Sequence, residues 1–319
     1  DIASLATRGS GDIAADLFID CTGVASLLLG KHFGVPFISQ KDVLFNDRAI
    51  AMQVPYAQDN DTISSATIAT ARDAGWIWDI GLPSRRGVGY VYSGDHATDD
   101  EAEATLRRYV LADPRSCPAD DIVARKLTFN PGFRQKFWHR NCVAVGMSAG
   151  FIEPLEASAI ALVELSAAMI RDELPANRAV MATVAKRFNE RFSYRWERII
   201  EFLKLHYVLT HRTDTAYWRD HCTRESIPER LAGLMELWRY QPPSRYDLVQ
   251  TEEIFPSASY QYVLYGMGFK TEPRATSCSR DDFEMAHKYF RENAMLMEKQ
   301  IHGLPANREL IDDMSQLAG

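Results

Sequence analysis

The sequence contains 319 residues, of which 46% are hydrophobic and 25% charged, an ordinary globular composition that is long enough for one large domain or two. Its 36 Lys and Arg against 43 Asp and Glu give a net charge of −7, and neither sign forms blocks, which argues against nucleic acid or an anionic membrane as the main partner. The most apolar stretch, residues 159–170, is interrupted by Glu164 and is too short to predict a membrane-spanning helix.

Cysteines and histidines are scattered through the sequence. The five cysteines lie at positions 21, 117, 142, 222 and 278 without a C-x-x-C pair, a pattern that fits reduced thiols in a cytoplasmic protein. Cys21 and Cys142 fall in apolar segments, where we expect inert thiols. The eight histidines show no spacing typical of metal ligands, so the sequence predicts no metal site.

The first part of the chain predicts mainly strands. Residues 16–22 form a short apolar run, and a helix is predicted over residues 24–30. Turn residues separate four further strands of an antiparallel or mixed sheet, predicted over residues 48–56, 62–70, 75–80 and 87–93. A helix follows over residues 99–111, with Asp99 and Asp100 as its predicted cap.

A strand, a loop and a helix are predicted over the next well-patterned region. Residues 142–146 indicate a buried strand, and a glycine-containing loop follows. Pro154 suits the first turn of a helix, so we expect a long helix from Leu155. Because that helix is apolar on most faces, we expect it to be buried.

The character of the chain changes at about residue 171. Beyond it, helical periodicity dominates, and proline and glycine breaks separate the helices, predicted over residues 180–209, 219–240 and 281–304. We therefore divide the chain into a sheet-containing part, residues 1–170, and a helical part, residues 171–319, that closes over it. Together they predict an α+β fold with a mixed sheet.

Residues 75–82, GWIWDIGL, place two of the six tryptophans one residue apart. At the periodicity of a strand, Trp76, Trp78 and Ile80 point to one face, whereas Ile77 and Asp79 point to the other. Taken alone, the alternation favours an aromatic stripe packed in a core. An aromatic wall beside a cavity has the same pattern, and the segment itself does not distinguish the two.

The sequence lacks the fingerprint of a dinucleotide-binding fold. G-x-G pairs begin at residues 9, 87 and 266, but none has the third glycine in place. None lies between a first strand and its helix. A phosphate cradle of that kind is therefore absent from this sequence.

Two carboxylates mark the segment GMSAGFIEPLEAS, residues 146–158. Glu153 and Glu156 are three residues apart, so they fall near one face once a helix forms. Acidic residues in a first turn stabilise a helix N-terminus, which is one explanation for them. In the other, free amides around Ser158 and Ala159 hold a small anion, and Glu156 acts on a substrate beside it.

Taken together, these segments resemble one protein family. Residues 75–81 resemble the W-x-W-x-I-P signature of flavin-dependent tryptophan halogenases, with Gly81 in place of the proline. Residues 16–23, 141–160 and 187–207 resemble further segments of that family in the same order. The resemblance covers nearly the whole chain. It implies an FAD-dependent, monooxygenase-like mixed-sheet domain (here truncated at its N-terminus) and a helical C-terminal region that covers the substrate.

The resemblance assigns roles to five positions around the two glutamates. Glu156 corresponds to the glutamate at the substrate pocket, which orients or polarises the halogenating agent and the aromatic ring. Ser158 and Ala159 correspond to positions whose backbone groups bind the halide. Met147 and Ile160 correspond to positions that contact the flavin.

By the same resemblance, Trp76 and Trp78 lie near the flavin and keep an organic substrate from reacting there. The serine that usually follows the catalytic glutamate is Ala157 here, so a contact through its hydroxyl is lost, whereas backbone contacts to a halide are kept. No residue matches the family's glycine-rich flavin-binding unit or its catalytic lysine. We therefore expect the chain to be the C-terminal portion of a longer family member.

The resemblance implies halogenation of tryptophan or an indole-like aromatic with reduced FAD, oxygen, and chloride or bromide. A flavin reductase is the expected partner, because it supplies the reduced FAD. Tyr260 and Tyr262 resemble paired aromatics on the substrate side, although a core aromatic cluster explains them equally well. Two alternatives stay open: a flavin-dependent aromatic monooxygenase, and an inactive fragment that only binds ligands.

Overall fold

The structure is a computed structural model that describes residues 1–116, 122–249, 253–272 and 279–317. Cys117 and Cys278 therefore lie outside the described residues. The strands of this part are β1 (Ser4–Thr7), β2 (Gly11–Ala14), β3 (Phe18–Asp20), β4 (Phe37–Ser39), β5 (Arg48–Pro55), β6 (Ile68–Arg72), β7 (Gly75–Gly81), β8 (Arg85–Tyr92), β9 (Arg125–Thr128), β10 (Gly132–Arg134), β11 (Trp138–His139), β12 (Cys142–Ala144) and β13 (Gly150–Phe151). The α-helices are α1 (Asp99–Leu111), α2 (Ser158–Asp172), α3 (Met181–Val208), α4 (Ala216–His221), α5 (Glu229–Trp238), α6 (Ser257–Gly266), α7 (Arg280–Gly303) and α8 (Asn307–Leu317).

The chain divides into two compact units, each assembled from separate segments. The first unit comprises Asp1–Asp47, Thr128–Leu234 and Pro243–Phe269. The second unit comprises Arg48–Leu127, Met235–Pro242 and Lys270–Gly319. Strands, parallel and antiparallel, together with many helices confirm the predicted α+β fold. The division by composition at residue 170 stays a prediction.

The second unit is built on a five-stranded sheet of order β6-β7-β8-β5-β9. The pairs β5–β8, β7–β8 and β6–β7 are antiparallel, and three of the four strands predicted here are confirmed. The strand predicted over residues 62–70 is wrong over residues 62–67, since β6 begins only at Ile68. The segment before it contacts Arg115 instead, which donates to the carbonyl oxygen of Thr62 and to the hydroxyl of Ser64, both at 3.4 Å.

Helix α1 covers one face of this sheet. Ala102, Leu106 and Val110 of the helix pack into one apolar core with inward-facing residues of β5, β7 and β8. The helix has its predicted bounds, but the predicted Asp cap is wrong. Thr98 is the N-cap, because its extended backbone lets its side chain accept from the Glu101 amide at 3.3 Å while the Glu101 carboxylate accepts from the Thr98 amide at 2.9 Å.

The first unit contains two small sheets of order β11-β12-β3 and β13-β10-β4. Strand β12 pairs with β3 in parallel and with β11 antiparallel, so the sheet is mixed. The strands predicted over residues 16–22 and 142–146 are confirmed, although both are shorter. Cys142 is buried, and burial raises the pKa of its thiol to about 12, whereas Cys21 follows the end of β3 and is exposed rather than buried in a strand.

The helix predicted over residues 24–30 is a 3₁₀ turn, Gly23–Ala25, followed by a π-helical turn, Leu27–His32. Asp20 explains this winding, because its carboxylate accepts from the amides of Leu28 and Leu29 at 3.0 and 2.8 Å. Burial by itself would raise the pKa of Asp20, but these bonds and the Thr22 hydroxyl hold it below its ordinary value. The Asp20 carboxylate thus adds to the cap that Ser26 makes, whose hydroxyl accepts from the Gly30 amide at 3.0 Å.

Candidate active site

The loop that follows β12 is hydrogen-bonded to β3 through a buried serine. Ser148, in a 3₁₀ turn after Gly146, donates its hydroxyl to the carbonyl oxygens of Asp20 and Val145. Ser148 is buried, whereas the neighbouring Met147 is 53% exposed. The loop therefore presents the Met147 side chain outward while its backbone is fixed.

Helix α2 begins at Ser158, not at Leu155 as predicted. Its N-cap is Ala157, whose φ of 49° and ψ of 29° place it in the left-handed region, so the chain turns sharply before the helix starts. Consequently, Glu153 and Glu156 precede the helix and do not share one of its faces. The prediction that α2 is buried on most faces is also wrong, because only Ser158, Leu162, Ser166 and Ile170 are buried along it.

The N-terminus of α2 differs from a typical capped helix terminus in two respects. Within the described residues, the N-cap makes no side-chain hydrogen bond and the first turn contains no acidic residue. The first amides of a helix have no intrahelical acceptor and carry positive partial charge. This terminus therefore offers an anion the free amides that a capping side chain normally occupies.

A cavity of about 430 Å³ opens beside this helix terminus. Four of the predicted site residues line it together: Met147, Ser158, Ala159 and Ile160. Its remaining wall is mostly apolar, formed among others by Phe137, Ala144, Val145, Ile152, Leu162, Val163, Phe188, Phe192 and Trp196. The site thus combines apolar surface with a helix N-terminus.

Glu153 is a buried anchor of the turn. Its carboxylate accepts from Asn46 Nδ2 at 2.6 Å and from the Tyr207 hydroxyl at 2.7 Å. Tyr217 in turn donates to Asn46 Oδ1 at 3.0 Å. Burial, followed by the charge of Glu153, raises the pKa of Tyr207 well above its ordinary value, so this hydroxyl keeps the proton that it donates.

Glu156 is one-third exposed and faces a histidine that the sequence did not single out. Its Oε1 lies 2.7 Å from Nε2 of His206, on helix α3. Glu156 is not among the residues that line the cavity. His206 lies fifty positions further along the chain, inside the family-like segment 187–207, but neither its spacing nor the resemblance assigned it a role.

A further buried group of residues, which the sequence analysis did not single out, lies next to Tyr207. The His221 ring stacks between those of Phe45 and Tyr207, with centroid distances of 4.1 and 4.2 Å. Lys204 Nζ lies 3.0 Å from His221 Nδ1 and donates to the Ser226 hydroxyl at 2.9 Å. Burial lowers the pKa of Lys204 to about 7.

Trp76 and Trp78 lie in the other unit, on β7. The predicted alternation is confirmed: their rings meet edge to face, 6.3 Å apart, while Ile77 enters the core on the opposite face. Trp76 is buried and Trp78 is half-buried. Their role as a screen beside a flavin stays a prediction.

The paired tyrosines of the C-terminal segment point in different directions. Tyr260 is buried and meets Phe202 edge to face with ring centroids 4.9 Å apart, which fits the core alternative. Tyr262 is 83% exposed.

In the part of the chain that the structure describes, no group of three or more His, Cys, Asp or Glu could hold a metal ion. Over the same residues, no helix has the length and apolar character needed to cross a membrane.

These features agree with the result of comparing the sequence with known families. The profile of the family described as tryptophan halogenase matches residues 1–280. The chain belongs to the flavin-dependent tryptophan halogenase family. The family prediction made from the Trp motif and the E-P-L-E segment is thereby confirmed.

Individual relatives give the same result. The chain is 39% identical over 267 residues to tryptophan 6-halogenase SttH of Streptomyces toxytricini, covering 84% of this chain and 50% of SttH. It is 38% identical over 289 residues to 7-chloro-L-tryptophan 6-halogenase KtzR of Kutzneria sp. (strain 744), covering 91% of this chain and 55% of KtzR. The crystal structure of a tryptophan halogenase from Shewanella frigidimarina NCIMB 400 superposes with a TM-score of 0.94 at 52% identity, covering 99% of this chain and 60% of that one. The chain thus spans about half the length of these curated relatives.

Proposed function

We propose that the protein carrying this chain is a flavin-dependent halogenase that uses reduced FAD, oxygen and a halide to halogenate tryptophan or an indole-like aromatic. One observation carries the proposal. The positions that the family resemblance assigns to the halide, Ser158 and Ala159, line one cavity with those assigned to the flavin, Met147 and Ile160.

The halide is proposed to bind at the N-terminus of α2. The free amides of the first turn attract a small anion, and no acidic side chain of that turn competes with it. Because backbone groups would supply the contacts, Ala159 serves as well as a hydroxyl residue does. Chloride and bromide both fit this chemistry.

The residues of the cavity suit a flavin ring. The cavity volume of about 430 Å³ lies within the range of small-molecule sites. The apolar side chains of Met147 and Ile160 are exposed and can pack against a flat ring. When bound, reduced FAD supplies the electrons with which oxygen and halide yield an electrophilic halogen. The apolar wall would keep water away from that reaction.

Glu156 is proposed to act on the aromatic substrate. A carboxylate stabilises positive charge that develops on a ring during electrophilic substitution, and it can orient the oxidant. Tryptophan is the proposed substrate because the relatives SttH and KtzR are a tryptophan 6-halogenase and a 7-chloro-L-tryptophan 6-halogenase. Trp76 and Trp78 are proposed to separate this chemistry from the flavin.

A flavin reductase is the proposed partner, since the reaction consumes reduced FAD. The cytoplasm is the proposed location. The free cysteines among the described residues, Cys21, Cys142 and Cys222, support a reducing compartment.

The test is Glu156→Gln in the active protein that carries this chain, supplied with tryptophan, flavin reductase, FAD, NADH and either chloride or bromide. We expect the halogenated product, measured by mass, to fall roughly 100-fold while flavin oxidation is unchanged. Glu164→Gln, an exposed carboxylate on α2, is the matched control and should leave both rates unchanged. Unimpaired halogenation in the Glu156→Gln variant would overturn the role of Glu156, and a hydroxylated product without halide would overturn halogenation in favour of a monooxygenase.

A further inference from the structure

Both glutamates of the turn at residues 153–156 are held by consecutive residues of helix α3. Tyr207 donates to Glu153 at 2.7 Å, and His206 Nε2 lies 2.7 Å from Glu156 Oε1. Because Glu153 and Tyr207 are both buried, their bond fixes the helix backbone against the turn. His206 therefore approaches Glu156 from a backbone position that is itself anchored.

The His206 ring is also oriented from its other side. Its Nδ1 lies 2.8 Å from the carbonyl oxygen of Phe202, one helical turn earlier, and the two rings meet edge to face at 5.1 Å. Phe202 is in turn stacked on Phe255 at 4.1 Å and is fully buried. A carbonyl oxygen only accepts, so Nδ1 carries a proton and Nε2 is the atom left for Glu156.

The contact between Glu156 and His206 must contain a proton of its own. An ionised carboxylate is purely an acceptor, and so is an imidazole nitrogen without hydrogen. At 2.7 Å, one proton therefore lies between Nε2 and Oε1, held by the imidazole or by the carboxyl. In either arrangement, the bond restricts the Glu156 side chain to one orientation, although the residue is one-third exposed.

We propose that His206 is a positioning residue for Glu156. It fixes the direction of the carboxylate and shares a proton with it, and it acts on the reaction through Glu156. The inference rests on the proposed function, since it needs Glu156 to act on the substrate ring. A histidine that served only the packing of α3 would change stability without changing the turnover of folded enzyme.

The test uses two variants of the active protein, assayed with tryptophan, bromide, FAD, NADH and flavin reductase. His206→Phe keeps the ring but removes both nitrogens, whereas His206→Gln keeps an N–H donor that can reach Glu156. We expect His206→Phe to lower kcat roughly 100-fold with KM for tryptophan changed less than about two-fold, because misplacing a catalytic group costs turnover rather than binding. His206→Gln should recover kcat to within about five-fold of the wild type.

A double variant separates positioning from packing. Combined with Glu156→Gln, the His206→Phe substitution should cost no more than about a further two-fold, because the residues act as one unit. His211→Phe, an exposed histidine just after the same helix, is the control and should not change kcat. Full kcat in folded His206→Phe, or losses that multiply in the double variant, would overturn the inference.

Two further comparisons distinguish a failure of the proposed role of Glu156 from a failure of the proposed role of His206. If His206→Phe does not fold, His206→Asn decides, because its amide can still meet the Phe202 carbonyl but cannot reach Glu156, and it should show the same loss of kcat. If Glu156→Gln alone leaves kcat unchanged, the proposed role of Glu156 fails. If Glu156→Gln abolishes turnover but the His206 variants do not, only the positioning inference fails.

Discussion

Trp78 packs its indole ring over Gly89, the residue directly opposite it on strand β8. A Cβ atom at position 89 would lie 2.0 Å from Cζ2 of that ring, which no side chain can tolerate. The glycine in GVGYVY is thus explained by the tryptophan across the sheet. The direction of the Trp78 side chain depends on the neighbouring strand as well as on its own.

Gly89→Ala should therefore displace Trp78. We expect a loss of about 1–3 kcal/mol in the free energy of unfolding, as for other overpacked sites, measured by urea denaturation and followed by tryptophan fluorescence. Gly87→Ala, two residues earlier on the same strand, is the matched control, since a Cβ there meets nothing within 4 Å. Equal stability of the two variants would contradict the packing role of Gly89.

Asp79 and Arg86 form a buried ion pair on the face of β7 opposite the tryptophans. Arg86 Nε donates to Asp79 Oδ1 at 3.0 Å, and Arg86 is only 1% exposed. Arg86→Met should lower the free energy of unfolding by about 3–5 kcal/mol, because it leaves the carboxylate buried without its main partner. Chemical denaturation measures this.

The control for that variant is Arg107→Met, which breaks a more exposed pair with Glu103 on α1. We expect a loss of less than about 1 kcal/mol there. If both arginine variants lost the same small amount, the Asp79–Arg86 pair would not be a principal support of the strand that carries Trp76 and Trp78.

Lys204 predicts a dependence of stability on pH. Burial lowers its pKa to about 7 from 10.5, against the opposing charges of Cys222 and Glu153, so between these values the unfolded chain binds a proton that the folded chain does not. The free energy of unfolding must then rise with pH across that window, by up to about 1.4 kcal/mol per pH unit. The destabilisation by the buried lysine is complete below pH 7. Below and above the window, the lysine contributes no slope.

Lys204→Met removes this titration. The free energy of unfolding of the wild type minus that of the variant should increase between pH 7 and about pH 10, as measured by urea denaturation at several pH values. Lys186→Met, an exposed lysine earlier on the same helix, should give a difference that does not change with pH. A flat difference for Lys204→Met would show that the buried amine stays protonated.

Local periodicity was enough to predict the parts of the fold that depend on it. The alternation in GWIWDIG fixes which face Trp76 and Trp78 share, and α1 and the helical C-terminal region follow from 3.6-residue repeats. The start of α2 could not be predicted in this way. Pro154 carries a strong preference for a first helical turn, and only the tertiary turn at Ala157 overrides it.

The part of the candidate site whose residues lie close together in the sequence could be predicted. Met147, Ser158, Ala159 and Ile160 lie within fourteen residues of each other, and the family resemblance covers all of them. The supports of the two glutamates could not be predicted, because Asn46, His206 and Tyr207 reach them from distant segments. Polar partners that tertiary folding brings together leave no periodic signal in the sequence.

Ala157 is in the left-handed region, with a φ of 49°, at the turn between Glu156 and α2. A residue with a Cβ pays a steric cost there that glycine avoids, and this cost outweighs the extra freedom of glycine in the unfolded chain. We therefore expect Ala157→Gly to raise the free energy of unfolding by about 0.5–1 kcal/mol, measured by urea denaturation. The control is Ala159→Gly, two residues further on in α2, where ordinary helical geometry predicts a loss of about 0.5–1 kcal/mol. Opposite signs at positions 157 and 159 would establish that the helix starts at Ser158 by way of a strained turn, whereas a loss in both variants would mean that residue 157 belongs to the helix.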